Sequence, residues 1–158
     1  MAPAGGWAQG DDSYKDVLAW FTQQQSLLHQ AAPYADQIAA SDEGRRRATE
    51  FVTTNYEHIP AELVAHMISA GAGCAGADTM IENALHEGWP LDPAQITCPV
   101  RVIWGTEDRL LTWPPSAERY RRDWLPAADW VVLDGVGHCP QLDVPLETAE
   151  LILGFTAV

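Results

Sequence analysis

The sequence predicts an α/β chain, with two parallel strands and their flanking helices at the C-terminal end and an all-helical layer before them. Three observations lead to this reading. Two apolar runs of strand length, Pro99 to Trp104 (PVRVIW) and Trp130 to Asp134 (WVVLD), are separated by a helix-like stretch, the pattern of a β-α-β unit. Each run passes into a loop that opens on glycine and ends on a proton-handling group, Gly105-Thr106-Glu107-Asp108 in one case and Gly135-Val136-Gly137-His138 in the other. Residues 11 to 88 instead carry apolar side chains at helical spacing, broken by Pro and Gly. The predicted division is a helical region over residues 1–94 and a β-α-β-α segment over residues 95–158.

Taken in order, Ser13 and Asp16 form an acidic variant of the capping box before a helix from about Tyr14 to His29, whose apolar positions are Val17, Trp20, Phe21 and Leu28. Pro33 interrupts it, and Tyr34 to Ala40 is a short second piece. Ser41, followed by Asp42 and Glu43, caps a helix with Ala48, Phe51 and Val52 on one face. Arg45, Arg46 and Arg47 read as a solvated face beside those acids. Ile59-Pro60 starts the next helix, with Pro at its first position, a stripe of Leu63, Val64, Met67 and Ile68, and a stop at Gly71 and Gly73. Asp78 to Glu87 follows, with Ile81, Ala84 and Leu85 inward and Gly88 as the stop, and Trp89-Pro90 to Pro93 forms the hinge toward the strands. Between the strands, Pro114-Pro115-Ser116 opens a helix to about Trp124 that Leu125-Pro126 closes. Pro145 opens the last helix, expected to lay Ala149, Ile152 and Leu153 on the sheet.

Composition narrows the partners. Nine Lys and Arg against 22 Asp and Glu give a formal charge of −13, which repels phosphate backbones and anionic headgroups, so neither nucleic acid nor a membrane is an expected partner. Met1 to Trp7 has no basic segment followed by an apolar one, and no apolar run approaches membrane-spanning length. Cys74, Cys98 and Cys139 are an odd set without C-x-x-C spacing, and His29, His58, His66 and His86 lack metal-ligand spacing. No metal and no cofactor is expected, and a reducing, cytoplasmic setting is.

The strand-end loops, together with Ile96-Thr97-Cys98-Pro99-Val100 and the tail from Asp143-Val144-Pro145 to Ile152 and Phe155, resemble the C-terminal part of the α/β-hydrolase fold. In that family an acid follows the penultimate strand and a histidine the last, in the order nucleophile, acid, histidine. The resemblance implies Asp108 as the acid and His138 as the base, a partial α/β-hydrolase fold, and a cap-like role for residues 1–94 in shaping the substrate pocket. It also implies hydrolysis of an ester or other small apolar substrate, with no cofactor. The opening Met1 to Trp7 resembles the loop that leads into such a cap, so the nucleophile-bearing N-terminal half is expected to be absent from this chain.

The family's nucleophile is usually Ser in G-x-S-x-G, and in some members Asp or Cys. Among Ser13, Ser26, Ser41, Ser69 and Ser116, only Ser69 stands in a related setting, Met67-Ile68-Ser69-Ala70-Gly71, where Met replaces the first Gly and the periodicity is helical. Cys139 adjoins His138 and follows it in the chain, which suits a packed thiol better than a nucleophile. Glu107 should be a solvated neighbour of Asp108, since adjacent residues of an extended segment point to opposite sides. The seven Trp read as core aromatics, with Trp7, Trp20, Trp89 and Trp113 as alternative lining for an apolar pocket. An isolated chain without a nucleophile should be inactive. Two strands with an open edge call for the missing half or for self-association. The rival reading, equally compatible with that edge, is a noncatalytic binding or assembly module or a degenerate hydrolase remnant.

Overall fold

The computed structural model describes residues 12–87 and 92–156. The expectations for Met1 to Trp7, for Gly88 as a helix stop and for the hinge at Trp89-Pro90 fall outside the described residues. Two compact units emerge, one holding residues 49–59 and 92–156, the other residues 12–48 and 60–87. The strand unit therefore takes in a segment from the middle of the helical stretch.

In the helical unit, α1 (Tyr14–Ala31) passes through a single 3-10 turn at Ala32–Tyr34 into α2 (Ala35–Ala40), the break falling at Pro33. Ser13 does not cap α1 with its side chain, because its own backbone is already helical (φ −61°, ψ −22°) rather than extended. Ser41 does cap α3 (Asp42–Thr49), its hydroxyl accepting from Gly44 N–H at 3.1 Å. The arginines of α3 pair with acids one turn earlier, Arg45 with Asp42, and Arg46 and Arg47 with Glu43. The helix stops at Thr49, short of Phe51 and Val52. α4 (Ala61–Ala72) follows Pro60, which lies just before the helix and contributes its carbonyl to Leu63 and Val64 N–H, and Gly73 caps the other end. α5 (Ala77–Glu87) completes the unit. α4 packs on α1 and α2, and α1 on α5, around Ala35, Ala39, Val64, Ala65, Ile68 and Ile81. Leu63 and Leu85, expected to face inward, are exposed.

The strand unit is built on β1 (Arg101–Gly105) and β2 (Asp129–Leu133), paired in parallel from Arg101 opposite Asp129 to Gly105 opposite Leu133. Among the described residues the sheet has these two strands. Between them α6 (Pro115–Arg119) runs on into one wider π turn, Tyr120–Trp124. Strand alternation sorts the core into two faces. Val102 and Trp104 pack with Leu111, Ala117 and Tyr120, flanked by Trp113 and Trp130, whereas Ile103 packs on the other side with Leu133, Val136, Val144 and Leu151. Trp104 is wholly buried, stacks on Trp130 at 6.2 Å, and donates its indole N–H to the Leu111 carbonyl at 3.1 Å. A buried tryptophan needs such an acceptor.

After β2 come α7 (Pro140–Asp143) and α8 (Pro145–Thr156). Here the sequence expectation is corrected: Ala149, Ile152 and Leu153 face outward, and α8 rests on the sheet through Thr148 and Leu151, next to Val144. Val144, Thr148 and Leu151 recur at helical spacing on one side, and Val144 already belongs to the cluster around Ile103, so its position fixes which face of α8 turns inward.

Candidate functional site

Asp108 and His138 are delivered by equivalent means, each in the loop leaving the carboxyl end of a parallel strand, where ligands of open α/β sheets are bound. The two loops are stitched together beyond the strand ends. Thr106 N–H donates to the Leu133 carbonyl and Glu107 N–H to the Val136 carbonyl, both at 2.9 Å, while the Thr106 hydroxyl accepts from Gly135 N–H at 2.9 Å. Gly135 takes the turn with φ of 70°, a left-handed conformation that favours glycine. Gly105 sits so close beneath the Val136 and Gly137 carbonyls that a β-carbon there would collide with both.

This stitching brings the two side chains together, with His138 Nδ1 2.9 Å from Asp108 Oδ2. The Asp108 side chain is fully buried and that of His138 is one-fifth exposed. Asp108 Oδ1 accepts from the N–H groups of Leu110 and Leu111 at 2.9 and 2.7 Å, so one oxygen is held by the backbone and the other presented to the imidazole. An ionised carboxylate only accepts hydrogen bonds, so a neutral imidazole in this contact carries its proton on Nδ1 and keeps the lone pair on Nε2. An imidazole held in that tautomer can take a proton at Nε2 while the carboxylate stabilises the cation that forms.

The other sequence candidates separate from this pair. Glu107 is exposed, as a neighbour pointing away should be. Ser69 is an exposed residue inside α4, in the helical unit, with its carbonyl accepting from Gly73 N–H; the local structure is a helix end rather than a strand-to-helix elbow. The Cys139 thiol is pushed up by burial, and the Asp108 and Asp143 charges push the same way against a hydrogen bond from Gln141. Thiolate, the nucleophilic form, is thereby disfavoured. Trp113 packs against the core cluster around Trp104, Trp20 packs edge-on against Phe21, and Trp7 and Trp89 fall outside the described residues. Among the described residues, no three His, Cys, Asp or Glu side chains gather as a metal site.

The feature that sequence reasoning missed is Asp143, quoted only as part of the tail and given no role. It is 94 % buried, its exposure being 6 %, and it gathers donors from a distant segment: the Thr53 hydroxyl, and the N–H groups of Thr54 and Asn55, each at 2.9 Å. Its second oxygen accepts from Gly137 N–H at 2.7 Å. The available signal was compositional: Thr53-Thr54-Asn55 is a poor continuation for a helix and a good former of turns with backbone-bonded side chains.

Comparison with known proteins bears on the family and the fold. The model of the Alpha/beta hydrolase family matches residues 1–151. An epoxide hydrolase of Mycobacterium tuberculosis (strain ATCC 25618 / H37Rv), EphH, is 28 % identical over 157 residues, a match that covers 98 % of this chain and 72 % of the relative. The crystal structure of a membrane phospholipase A, described as a novel bacterial virulence factor, superposes with a TM-score of 0.55 at 24 % identity, a likeness of fold. The chain spans 40 % of that protein's length, and 77 % of this chain is covered. With a family match running through both units and on past the histidine loop, this chain belongs to the α/β hydrolase family.

Proposed function

We propose that this chain supplies the acid and the base of a hydrolase that cleaves an ester or another small apolar substrate through a nucleophile–His–Asp triad. Asp108 orients, His138 accepts the nucleophile's proton at Nε2 and returns it to the leaving group, and the nucleophile comes from a segment outside these 158 residues. The observation that carries the reading is the 2.9 Å contact between His138 Nδ1 and a carboxylate whose other oxygen is already held by two backbone N–H groups. The name of the mycobacterial relative adds an epoxide to the esters as a substrate class, since both are small electrophiles attacked without a cofactor. The helical unit takes the part of the cap that shapes the pocket. Unpaired Cys74, Cys98 and Cys139 suit a reducing, cytoplasmic compartment.

The test pairs the purified chain with a nucleophile-bearing segment taken from that relative, isolates the assembled complex, and offers it p-nitrophenyl acetate and styrene oxide. The chain alone should be inert and the complex active, with Asp108→Asn lowering turnover by about 10⁴-fold, because the amide stabilises the wrong imidazole tautomer. An assembled but inert complex favours the noncatalytic module. Turnover by the chain alone, lost in His138→Ala, places the nucleophile within it and returns Ser69 to consideration.

A further inference from the structure

We propose that Asp143 is a positioning residue for His138, holding the histidine loop so that the imidazole can face only Asp108; this rests on reading Asp108 and His138 as the reacting pair. The residues on either side of His138 are both tied through their backbone N–H groups. Gly137 N–H donates to Asp143 Oδ2, and Cys139 N–H donates to the Val52 carbonyl, each at 2.7 Å. The opposite oxygen of Asp143 accepts from the Thr53 hydroxyl and from Thr54 and Asn55 N–H, and the Thr54 hydroxyl donates to the Gly135 carbonyl at 2.9 Å. Residues 52–55 thus grip the loop before His138, immediately after it and at Asp143. There is no slack at Gly137, where a β-carbon would stand 3.0 Å from Asp143 Oδ2 and 3.1 Å from Thr53 Cα.

An imidazole on a loop has two side-chain torsions free, and a proton-transferring group needs its orientation held within roughly 0.5 Å and 10–20°. Asp108 supplies one restraint, through Nδ1. The backbone supplies the other, and Asp143 joins the Gly137 N–H beside the histidine to residues 53–55, where the Thr54 hydroxyl adds a second link at Gly135. A buried carboxylate serves better than a neutral side chain because it can accept all of these bonds at once and has no donor to misdirect.

The experiment uses the full chain labelled with ¹⁵N at histidine, with the His138 imidazole identified by its loss in His138→Gln. In Asp143→Asn the amide must turn its NH₂ either toward Gly137 N–H or toward the donors of residues 53–55. The His138 ring nitrogens should then shift toward a mixture of tautomers, and the Nδ1 proton should exchange with water about tenfold faster, the equivalent of one lost buried hydrogen bond to a charged group. Thr53→Val, which removes one donor and keeps the shape, should move the same signals in the same direction by about threefold, and it decides the matter if Asp143→Asn fails to fold. A folded variant at 143, or Thr53→Val in its place, with an unaltered His138 spectrum reduces Asp143 to a loop staple and overturns the proposal. Asp108→Asn is the control: if it too leaves His138 unmoved, the pairing of Asp108 with His138 fails, whereas movement there alone confines the failure to Asp143.

Discussion

Both units carry exposed ion pairs, Arg122 with Asp123 among those of the strand unit, but they differ in their buried polar contacts. In the helical unit the ion pairs join residues three or four apart on exposed faces, Lys15 with Asp12 and the α3 arginines with Asp42 and Glu43, and Gln25 donating to the Gly71 carbonyl is a rarer long-range link. In the strand unit the decisive contacts are buried and join residues far apart in sequence, His138 with Asp108 and Asp143 with residues 53–55. Local exposed pairs add little to stability, while a buried acceptor serving several donors cannot be removed cheaply. The difference teaches where this chain invests its order: around the imidazole, and not across the helices.

The sharpest way to break that contrast is to open the strand core. Trp104→Ala removes a wholly buried indole and should cost about 3–5 kcal/mol in urea unfolding; a loss below about 1 kcal/mol would mean that the aromatic cluster is not the unit's mainstay. A smaller effect separates the two sides of α8. Leu151→Ala, on the sheet-facing side, should cost about 2 kcal/mol, and Leu153→Ala, two-thirds exposed, no more than about 0.5 kcal/mol. The reverse order would restore the face read from the sequence.

Two further measurements work on titration. Burial raises the Cys139 pKa above the ordinary thiol value of 9.0, so the neutral thiol contributes stability that is fully present below pH 9 and is lost as pH rises through the folded-state value. Cys74 and Cys98, both exposed, should react with a thiol reagent at pH 8 well before Cys139 does; equal rates would deny the packed environment. The smallest effect belongs to Glu43, which hydrogen bonds from Arg46 and Arg47 hold at about 2, below its ordinary 4.5. Its contribution is present above 4.5 and fades as pH falls toward 2, and being exposed it should be screened, so its carboxyl resonance should titrate closer to 4.5 in 1 M salt. A titration indifferent to salt would argue for a buried pair in the helical unit and erase the contrast.

What was legible in the sequence follows from how local each signal is. A short apolar run ending in a glycine loop is written in consecutive residues, so β1, β2 and the two loops that bring Asp108 and His138 into contact could be read directly. The grip on the histidine loop could not, since Asp143 meets backbone N–H groups that every residue but proline carries, from a segment some ninety positions earlier. The end of α3 at Thr49 has the same origin: the chain leaves the helix where the Val52 carbonyl accepts from Cys139 N–H and the Thr54 and Asn55 N–H groups donate to Asp143. On α8 two apolar faces were on offer, and only the packing of Val144 and Leu151 decided between them.

Residues 49–59 make the seam between the units different from the one that chain order suggests. Anyone exchanging the helices for those of another family member would do well to cut near residues 48 and 60 and again at 91, leaving the Thr-Thr-Asn bridge with its native recipient. A swap made in one cut near residue 91 would carry away residues 52–55, and with them the donors to Asp143 and the acceptor for Cys139 N–H.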